Sequence, residues 1–437
     1  MLIIENILWL LVLIGVMILI HELGHFLVAR AFDVRVEVFS FGFGPRLFGF
    51  RRGETDFRVA AVPFGGYVKM IGEQPGDKGT DDPRSFLAKP RWQRLLIAFA
   101  GPFMNVVLAV ALLTGLFLYR YPKPVEADLV ATIGHVMADS PAAKAGLKEG
   151  DRITEIDGIP NPTWEDVTIR ELSNANRPLR VRLERDGKPF AVTVTPTMAE
   201  KAGVGYAGWS QQAEIEVTQV SAGLPAQKAG LRSGDLLLSL NGERVHSLFK
   251  VHDVIRASEG KPVRIEFLRG DRREVVTVQP VFNQAEKRWW VGIGLDRRVL
   301  YTRLPFPQAL SESARQNVRG ATLIYEVLRG IVAQRMSAKS IDGPLRIAQL
   351  SGDAARQGAY TYINLMAAVS LNLAIINLLP IPILDGGVIL MLLFEMLIRR
   401  DLSMPVKEAV FKFGFVFLLM VMAFVIYNDV AKMLPAG

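Results

Sequence analysis

Four apolar stretches constrain this sequence more than any other feature, because each is a candidate to cross a lipid bilayer. Apolar residues fill 7–20 and resume at 26–29, 95–119 carries no charge, 358–398 carries only two charges, and 413–427 is a shorter candidate. A helix needs about 20 residues to span the hydrocarbon core. Half of the 437 residues are hydrophobic, and the mean hydropathy is +0.25. We therefore predict a polytopic α-helical membrane protein with four transmembrane helices.

Basic residues predict the direction in which these spans cross. Glu5 is the only charge before the first span, whereas Arg and Lys are frequent between 30 and 94. Because basic loops stay in the cytoplasm, we expect this loop to be cytoplasmic and the N-terminus to face outward. Arg399 and Arg400 follow the third span, so the region between spans two and three and the C-terminus are expected outside. The net charge of +8 has the same origin, which predicts contact with the lipid bilayer and no nucleic acid partner.

The external region contains an internal repeat. Segments 140–158 and 224–242 share Pro, Ala, Lys, Ala, Gly, Leu, Gly, Asp and Gly in register. Each continues into a short strand pattern that ends in an Asp-Gly or Asn-Gly turn. A repeat of roughly 85 residues predicts two tandem copies of a small α+β domain.

The AGLxxGD pattern of both copies resembles PDZ domains of bacterial envelope proteases. In such domains a peptide adds as a strand to the sheet edge, and the resemblance implies that the loop around the Gly-Leu forms a nest for a carboxylate. Two interpretations stay open. Either the PDZ-like domains capture a peptide, or they are spacers that only control access to the rest of the protein.

The first span contains an H-E-x-x-H motif, formed by His21, Glu22 and His25. Residues four apart share one face of a helix, so both imidazoles can bind one ion, with the glutamate beside it as a general base. Ionisable groups in an apolar span cost free energy and are usually functional. The chain has no cysteine, so a metal must be held by histidines and carboxylates. We predict one Zn²⁺ per chain.

Asp385 is the expected third ligand, because it is the only acid between Asp353 and Glu395. It lies in the segment 377–387, NLLPIPILDGG, where two prolines and two glycines interrupt the helix. Irregular backbone at membrane depth is tolerated only where it lines a cavity or is buried in protein. Spans one and three run in the same direction, so both motifs reach the same side. The alternative is a cap residue at the membrane exit. Glu395, near two arginines, is interpreted as an interfacial charge.

These motifs and their order resemble the site-2 protease family of intramembrane metalloproteases over essentially the whole chain. The resemblance implies that His21, His25 and Asp385 bind zinc and that Glu22 is catalytic. It also implies that Asn377 binds the substrate main chain. A membrane-associated β-hairpin region would supply the remaining substrate-binding residues, which are Gly42, Gly44, Gly65 and Gly66. Gly101, Pro102 and Asn105 in the second span match a further pattern of the family.

The resemblance also implies an activity, a location and partners. The protein would be a zinc-dependent endopeptidase of the bacterial inner membrane, cutting single-span membrane proteins in or next to their transmembrane segment. This reaction belongs to regulated intramembrane proteolysis in a stress response. An anti-sigma factor already trimmed by a first-site protease would be the substrate. The active site would face the cytoplasmic side, and the PDZ-like domains would be periplasmic.

Two other functional classes remain as alternatives. A membrane-anchored scaffold with a vestigial metal site would need a damaged motif, and none is visible. A zinc transporter would need several polar residues across more than one span, and spans two and four offer few.

The predicted domain organisation follows the order of these features along the chain. It comprises transmembrane helix 1 with the motif (1–32), the β-hairpin region (33–92), transmembrane helix 2 (93–120), PDZ-like domains 1 (121–208) and 2 (209–297), connecting helices (298–358), the broken third transmembrane region (359–398) and transmembrane helix 4 (409–431).

Overall fold

The structure is a computed structural model that describes residues 2–73, 82–124, 130–199, 203–284, 287–333, 336–337 and 343–433. Its contacts divide the chain into two compact units. The first unit comprises Met1–Arg120, Arg303–Tyr325 and Ile341–Gly437, and the second comprises Tyr121–Thr302 and Glu326–Ser340.

Helices and strands alternate along the described residues. The helices are α1 (Leu2–Ala31), α2 (Arg91–Tyr119), α3 (Pro141–Lys144), α4 (Trp164–Ser173), α5 (Pro225–Lys228), α6 (Leu248–Ala257), α7 (Phe306–Val332), α8 (Pro344–Gln357), α9 (Ala359–Asn377), α10 (Asp385–Leu397) and α11 (Met404–Met433). The strands are β1 (Val36–Arg52), β2 (Thr55–Met70), β3 (Tyr121–Pro124), β4 (Ile133–Val136), β5 (Arg152–Ile156), β6 (Ile159–Pro160), β7 (Leu179–Arg185), β8 (Lys188–Val194), β9 (Thr197–Ala199), β10 (Val204–Tyr206), β11 (Trp209–Gln211), β12 (Ile215–Val220), β13 (Leu236–Leu240), β14 (Glu243–Arg244), β15 (Val263–Arg269), β16 (Arg272–Val278), β17 (Val281–Asn283), β18 (Arg288–Trp290), β19 (Ile293–Arg297) and β20 (Val299–Thr302).

Within the described residues, four helices are long and apolar enough to cross a membrane, and they are α1, α2, α9 and α11. Each overlaps one of the four predicted apolar stretches, and α9 covers only the first half of the third stretch, 358–398. α1 and α2 pack closely at Gly24, where an added Cβ would lie 2.3 Å from the Ala100 carbonyl oxygen. Small residues commonly allow such approach between membrane helices. α2 also packs against α9, and the Ser370 hydroxyl donates a hydrogen bond to the Asn105 carbonyl at 2.8 Å.

The segment after α1 forms the predicted hairpin, with β1 antiparallel to β2 and a turn at Gly53. Its base packs into a core shared with α1 and α2, to which Phe39, Val68 and Ile97 belong. The stretch 43–50 is exposed and, apart from Arg46, contains no charged side chain, with Leu47, Phe48 and Phe50 each more than 60% exposed. Exposed apolar patches often mark contacts with membranes or partners. Membrane association of this hairpin stays a prediction.

The second unit contains both copies of the repeat, and each copy builds its own sheet and core. In the first copy the order of strands is β6-β5-β7-β8, with β4 and β11 paired separately. The second copy has the order β16-β15-β13-β12-β19, with β14 beside β13. Alternating burial along β7 and β15 directs every second side chain into the core, as expected for a sheet with one solvated face.

The boundary between the two copies lies later than position 208. β11 pairs with β4 of the first copy, and Trp209 packs in the core of that copy with only 7% of its surface exposed. The first domain therefore includes this returning strand. Sequence patterns place the ends of elements only within a few residues, because the strand and the linker that follows it are similar in composition.

The repeated Gly-Asp supports the fold of each copy. Asp151 and Asp235 are buried, and each accepts hydrogen bonds from one arginine, with Nε to Oδ1 distances of 2.6 Å from Arg185 and 2.8 Å from Arg269. Each carboxylate also accepts the backbone N–H three residues earlier, at 2.9 and 2.8 Å. A buried carboxylate requires such partners. The Asp of the repeat is thus a structural residue.

The expected carboxylate nest at the Gly-Leu of the repeat is wrong for this chain. The amides of Gly146 and Leu147 donate to the carbonyls of Ala143 and Ala142 at 2.9 and 3.1 Å, and the second copy repeats both bonds at 3.0 Å. Because these N–H groups already close the turn after α3 or α5, they are not free to bind a ligand.

Replacing Asp235 with alanine should destabilise the second copy by about 2–4 kcal/mol, because Arg269 and one loop amide lose their acceptor. Hydrogen exchange across 212–297, measured by mass spectrometry on the full chain, reports this local unfolding free energy. The control is Glu243→Ala in the same copy, where Glu243 is 62% exposed in its pair with Lys250. Exposed ion pairs contribute little, so this control should exchange like wild type. Equal exchange in the two variants would contradict the structural role of Asp235.

Candidate metal centre and active site

Three side chains bring their ligand atoms to one point in the first unit. His21 Nε2 and His25 Nε2 lie 3.2 Å apart, and carboxylate oxygens of Asp385 lie 3.1 Å from the first and 3.5 Å from the second. α1 presents both histidines on one face, and Asp385 is the first residue of α10. The histidines are buried, with 8% and 9% of their surface exposed. The structure therefore assembles the three residues that the sequence predicted as ligands.

The His25 ring is oriented by the backbone of α2. Its Nδ1 lies 2.8 Å from the Ile97 carbonyl oxygen, which can only accept a hydrogen bond. Nδ1 therefore donates this hydrogen bond, which leaves Nε2 to face the other two side chains. This is the arrangement of a metal-binding histidine, whose second nitrogen commonly donates to a carbonyl or carboxylate.

Asn105 of α2 contacts the other histidine. Its side-chain amide lies 3.2 Å from His21 Nδ1, and its Oδ1 is buried without a hydrogen-bond partner. The two ends of an amide have nearly the same shape, so their assignment follows from hydrogen bonding. With Oδ1 turned towards Nδ1, Asn105 accepts a hydrogen bond from His21 and leaves Nε2 free for an ion. The sequence singled out Asn105, and the structure gives it this contact.

The spacing of the three ligands fits zinc. Ligands bound to one tetrahedral Zn²⁺ at about 2.0–2.1 Å lie roughly 3.3 Å apart, and the closest pairs here are 3.1–3.5 Å apart. Gly101 of α2 provides room for the two rings, because a Cβ there would lie 2.3 Å from His25 Nε2 and 2.8 Å from His21 Cε1. Two imidazoles with one carboxylate is a ligand set that catalytic zinc sites use.

The segment 378–384 between α9 and α10 positions the carboxylate ligand. The third apolar stretch, for which an interruption was predicted, is divided here between α9, which ends at residue 377, and α10, which begins at Asp385. Gly386 lets α10 pack on this segment, because a Cβ would lie 2.2 Å from the Leu379 carbonyl oxygen. Ile383 has a φ of +85°, which is rare and strained for a β-branched residue. Strain of this kind often occurs where a functional side chain must be aimed.

A cavity of about 610 Å³ opens onto the metal centre. Glu22 lies on its wall, one residue after His21, and is hydrogen-bonded by the backbone of Val68 in β2. Asn377, the last residue of α9, lines the same cavity. α1 and α9 therefore each present a polar group to a space that can hold a ligand beside the three candidate metal ligands.

The four glycines predicted to bind substrate lie on the hairpin, but Tyr67 and Val68 line the cavity in their place. Gly66 comes close to the site, since a Cβ there would lie 3.2 Å from Glu22 Cγ. The others have positive φ angles that glycine adopts freely: +92° at Gly42, +87° at Gly44 and +125° at Gly65. Their backbone conformation alone accounts for glycine, and a substrate role stays a prediction.

The interpretation of Glu395 as an interfacial charge is wrong. Glu395 is fully buried, and Lys407 Nζ of α11 lies 2.8 Å from its carboxylate. The Leu402 amide donates to the same oxygen at 2.9 Å, and Arg94 of α2 lies 3.9 Å away. The chain reverses between α10 and α11 and so returns a lysine to this carboxylate, which spacing along the sequence does not reveal. Arg94, Glu395 and Lys407 also line the cavity, so they are site residues that the sequence analysis missed.

The fold and the site define a class of protein: a membrane protein with a histidine–carboxylate metal centre among its apolar helices. The model of Peptidase family M50 matches residues 9–421, and this chain belongs to that family. It is 32% identical to a protein of Xylella fastidiosa (strain 9a5c) named "Putative zinc metalloprotease", over 96% of this chain and 97% of that one. It is 29% identical to the "Regulator of sigma-E protease RseP" of Salmonella typhimurium (strain 14028s / SGSC 2262), with the same coverage. The protein is a metalloprotease with zinc as its cofactor.

Solved PDZ domains match part of the chain. One is the PDZ domain of the SdrC-like protein from Listeria monocytogenes, with 26% identity and a TM-score of 0.18, covering 18% of this chain and 85% of that domain. A second, from Listeria innocua, has 24% identity and a TM-score of 0.18, covering 20% of this chain and 96% of that domain.

Replacing Gly101 with alanine should abolish zinc binding, because the added Cβ would displace both imidazoles from the ligand positions. Zinc content of the purified protein, measured by elemental mass spectrometry, should fall from about one ion per chain to near zero. The matched control is Gly115→Ala in the same helix, where a Cβ meets nothing within 4 Å. A Gly101→Ala variant that keeps its zinc would show that the ligands lie elsewhere.

Proposed function

We propose that this protein is an intramembrane endopeptidase that hydrolyses peptide bonds within or next to the transmembrane segment of single-span membrane proteins. The observation that carries the proposal is the convergence of His21, His25 and Asp385 beside Glu22, on a cavity among helices that can cross a membrane. Ionisable groups at such depth are expensive and are kept for function. In this proposal a substrate helix that lies in the bilayer would reach the cavity without leaving the apolar phase.

The proposed roles follow from the geometry. His21, His25 and Asp385 would hold the zinc ion, which when bound would supply Lewis-acid polarisation for peptide hydrolysis. Glu22 accepts a proton from the attacking water as the new bond to the scissile carbonyl carbon forms. The same carboxylate then delivers the proton to the leaving nitrogen as the C–N bond breaks, so it ends the cycle unprotonated.

Asn377 and the hairpin are proposed to hold the substrate in an extended conformation. The Asn377 amide can both donate and accept hydrogen bonds, as a peptide main chain requires. A peptide bond inside a helix is shielded by its own turn, so the substrate helix must open before cleavage. Pairing with the hairpin, where Gly42, Gly44, Gly65 and Gly66 lie, would stabilise the opened strand.

The substrate and the orientation are proposed from relatives and from charge. A relative is named for regulation of sigma-E, which supports an anti-sigma factor as substrate, trimmed beforehand by a first-site protease. Basic residues between 30 and 94 support a cytoplasmic active site, periplasmic PDZ-like domains and an inner-membrane location. In this arrangement the protein would act in regulated intramembrane proteolysis during a stress response.

Glu22→Gln should keep zinc and lose activity by about a hundredfold or more, because it removes the base but no ligand. Asp385→Ala should lose both, since two histidines rarely hold a catalytic ion. Zinc content and cleavage of a model single-span substrate by the purified protein measure the two effects separately. Wild-type cleavage by Glu22→Gln would remove Glu22 from the mechanism. A wild-type protein that binds zinc but cleaves none of a panel of single-span substrates would favour the scaffold with a vestigial site.

Asn377→Ala should slow cleavage of a helix-stable substrate more than cleavage of one that opens readily. The substrates differ by one Leu→Gly exchange in the cleaved segment, which changes helix stability by about 1 kcal/mol. Rates are compared for wild type and variant at equal zinc content. If Asn377 only packs the end of α9, both substrates should slow by the same factor, and equal slowing would therefore refute main-chain binding.

A further inference from the structure

The two copies of the repeat differ at a position that faces the returning strand, which is partly buried in the first copy and buried in the second. In the alignment that pairs Ser140 with Leu224, Glu171 of α4 corresponds to Ile255 of α6. The structure supports this alignment, because equivalent hydrogen bonds recur in both copies. The Ala142 amide donates to Ala207 at 2.8 Å, and the Ala226 amide donates to Val291 at 2.9 Å.

In the first copy, the Glu171 carboxylate is bound by the segment Tyr206–Trp209. Its Oε1 accepts the backbone N–H of Ala207 at 2.6 Å, and its Oε2 accepts the indole N–H of Trp209 at 2.8 Å. One carboxylate thus engages two donors that converge on it. This segment leads into β11, whose only strand partner among the described residues is β4.

Peptide recognition by PDZ-type domains uses a strand at a sheet edge and N–H donors that bind a carboxylate, and both are present here. The peptide adds to a sheet edge as a strand, and its terminal carboxylate is held by N–H groups of the backbone. In this chain the N–H groups of the Gly-Leu turn are already used, whereas the Ala207 and Trp209 donors hold a carboxylate. Glu171 therefore shows which chemical group this segment binds, and it supplies that group from within the domain.

Packing does not explain the glutamate. Burial raises the pKa of Glu171, although its bonds with Ala207 and Trp209 act in the opposite direction. The surroundings as a whole thus disfavour the charged form. The second copy places Ile255 in an apolar core with Val291 at the same position and builds the same fold without a carboxylate. The fold needs no acid there, so the acid is explained by its contact with the donors.

We propose that the segment Tyr206–Trp209 is a carboxylate-binding site for peptide C-termini and that Glu171 occupies it, which closes the first PDZ-like domain to such peptides. In this proposal the two copies differ in peptide binding, and only the second copy can bind a peptide C-terminus. The ligand class is a peptide with a free terminal carboxylate. Removing Glu171 should open the first site.

Peptide binding to the full chain in detergent tests this proposal. The probe is a fluorescein-labelled polar decapeptide that ends in valine with a free carboxylate, and its comparison is the same peptide with a C-terminal amide. Glu171→Ile, which copies the second repeat, should add one binding site per chain. This added site should prefer the acid over the amide by about tenfold or more, as expected for a hydrogen-bonded charge. Calorimetry gives the number of sites, and fluorescence anisotropy gives the affinities.

Two further variants keep the test decisive. Glu171→Gln preserves the size of the side chain and should admit the acid peptide more weakly, so it replaces Glu171→Ile should that variant not fold. Glu165→Gln, at an exposed position of the same helix, should bind as wild type does. Melting temperature and zinc content confirm that each variant is folded.

The readout is independent of proteolysis, so it stands whether or not the proposed substrate is right. No added site in either Glu171 variant would overturn the proposal. An added site that binds the amide equally well would also overturn it, because the groove would then take internal segments of peptide. A wild-type site for the acid peptide that is lost in Trp209→Phe would show that Glu171 does not close the domain.

Discussion

The first unit has to accommodate three ionisable side chains among apolar helices, with His21 and His25 buried and Asp385 partly buried. Such groups are stable there only if each polar atom has a partner. His25 is bound by the Ile97 carbonyl, His21 faces Asn105, and the remaining nitrogens converge with Asp385. An ion shared by the three would complete this set, since two imidazole nitrogens and a carboxylate face one another there. A metal ion held at this point would tie α1 and α10 together beside α2 as well as providing chemistry.

Glycine makes this arrangement possible at the cost of helix stability. A helix interior loses roughly 1 kcal/mol for each glycine in place of alanine. Gly24 and Gly101 lie inside helices, whereas Gly386 lies in the first turn of α10. At each of the three a Cβ would come within 2.3 Å of a neighbouring atom. Each of them permits one close approach: α1 to α2, α2 to the histidines, and α10 to the segment before it. These close approaches at small residues lie next to the three candidate ligands, so the same glycines allow the packing and leave room for the site.

The candidate ligands could be predicted from the sequence because their chemistry depends on local spacing. Two histidines four apart define one face of a helix, and an isolated acid in an interrupted apolar stretch has few structural explanations. Contacts between segments that meet only because the chain folds back on itself could not be predicted from the sequence. Glu395 meets Lys407 only because the chain reverses between α10 and α11. The early domain boundary had the same cause, since β11 belongs to the first copy through its pairing with β4. Spacing along a sequence carries no information on either contact.

The repeat shows why a shared pattern does not imply a shared function. Both copies keep the buried Asp–Arg pair, because each turn needs an acceptor for its amides and its arginine. This part of the pattern supports the fold and says nothing about ligands. At the position that faces the returning strand, the first copy has Glu171 and the second has Ile255. The Glu171 carboxylate accepts one backbone N–H and one indole N–H, and Ile255 has no carboxylate. The residues that made the duplication visible are structural, and the position that distinguishes the copies lies outside the pattern. A functional difference between duplicated domains therefore has to be sought among the residues that do not repeat.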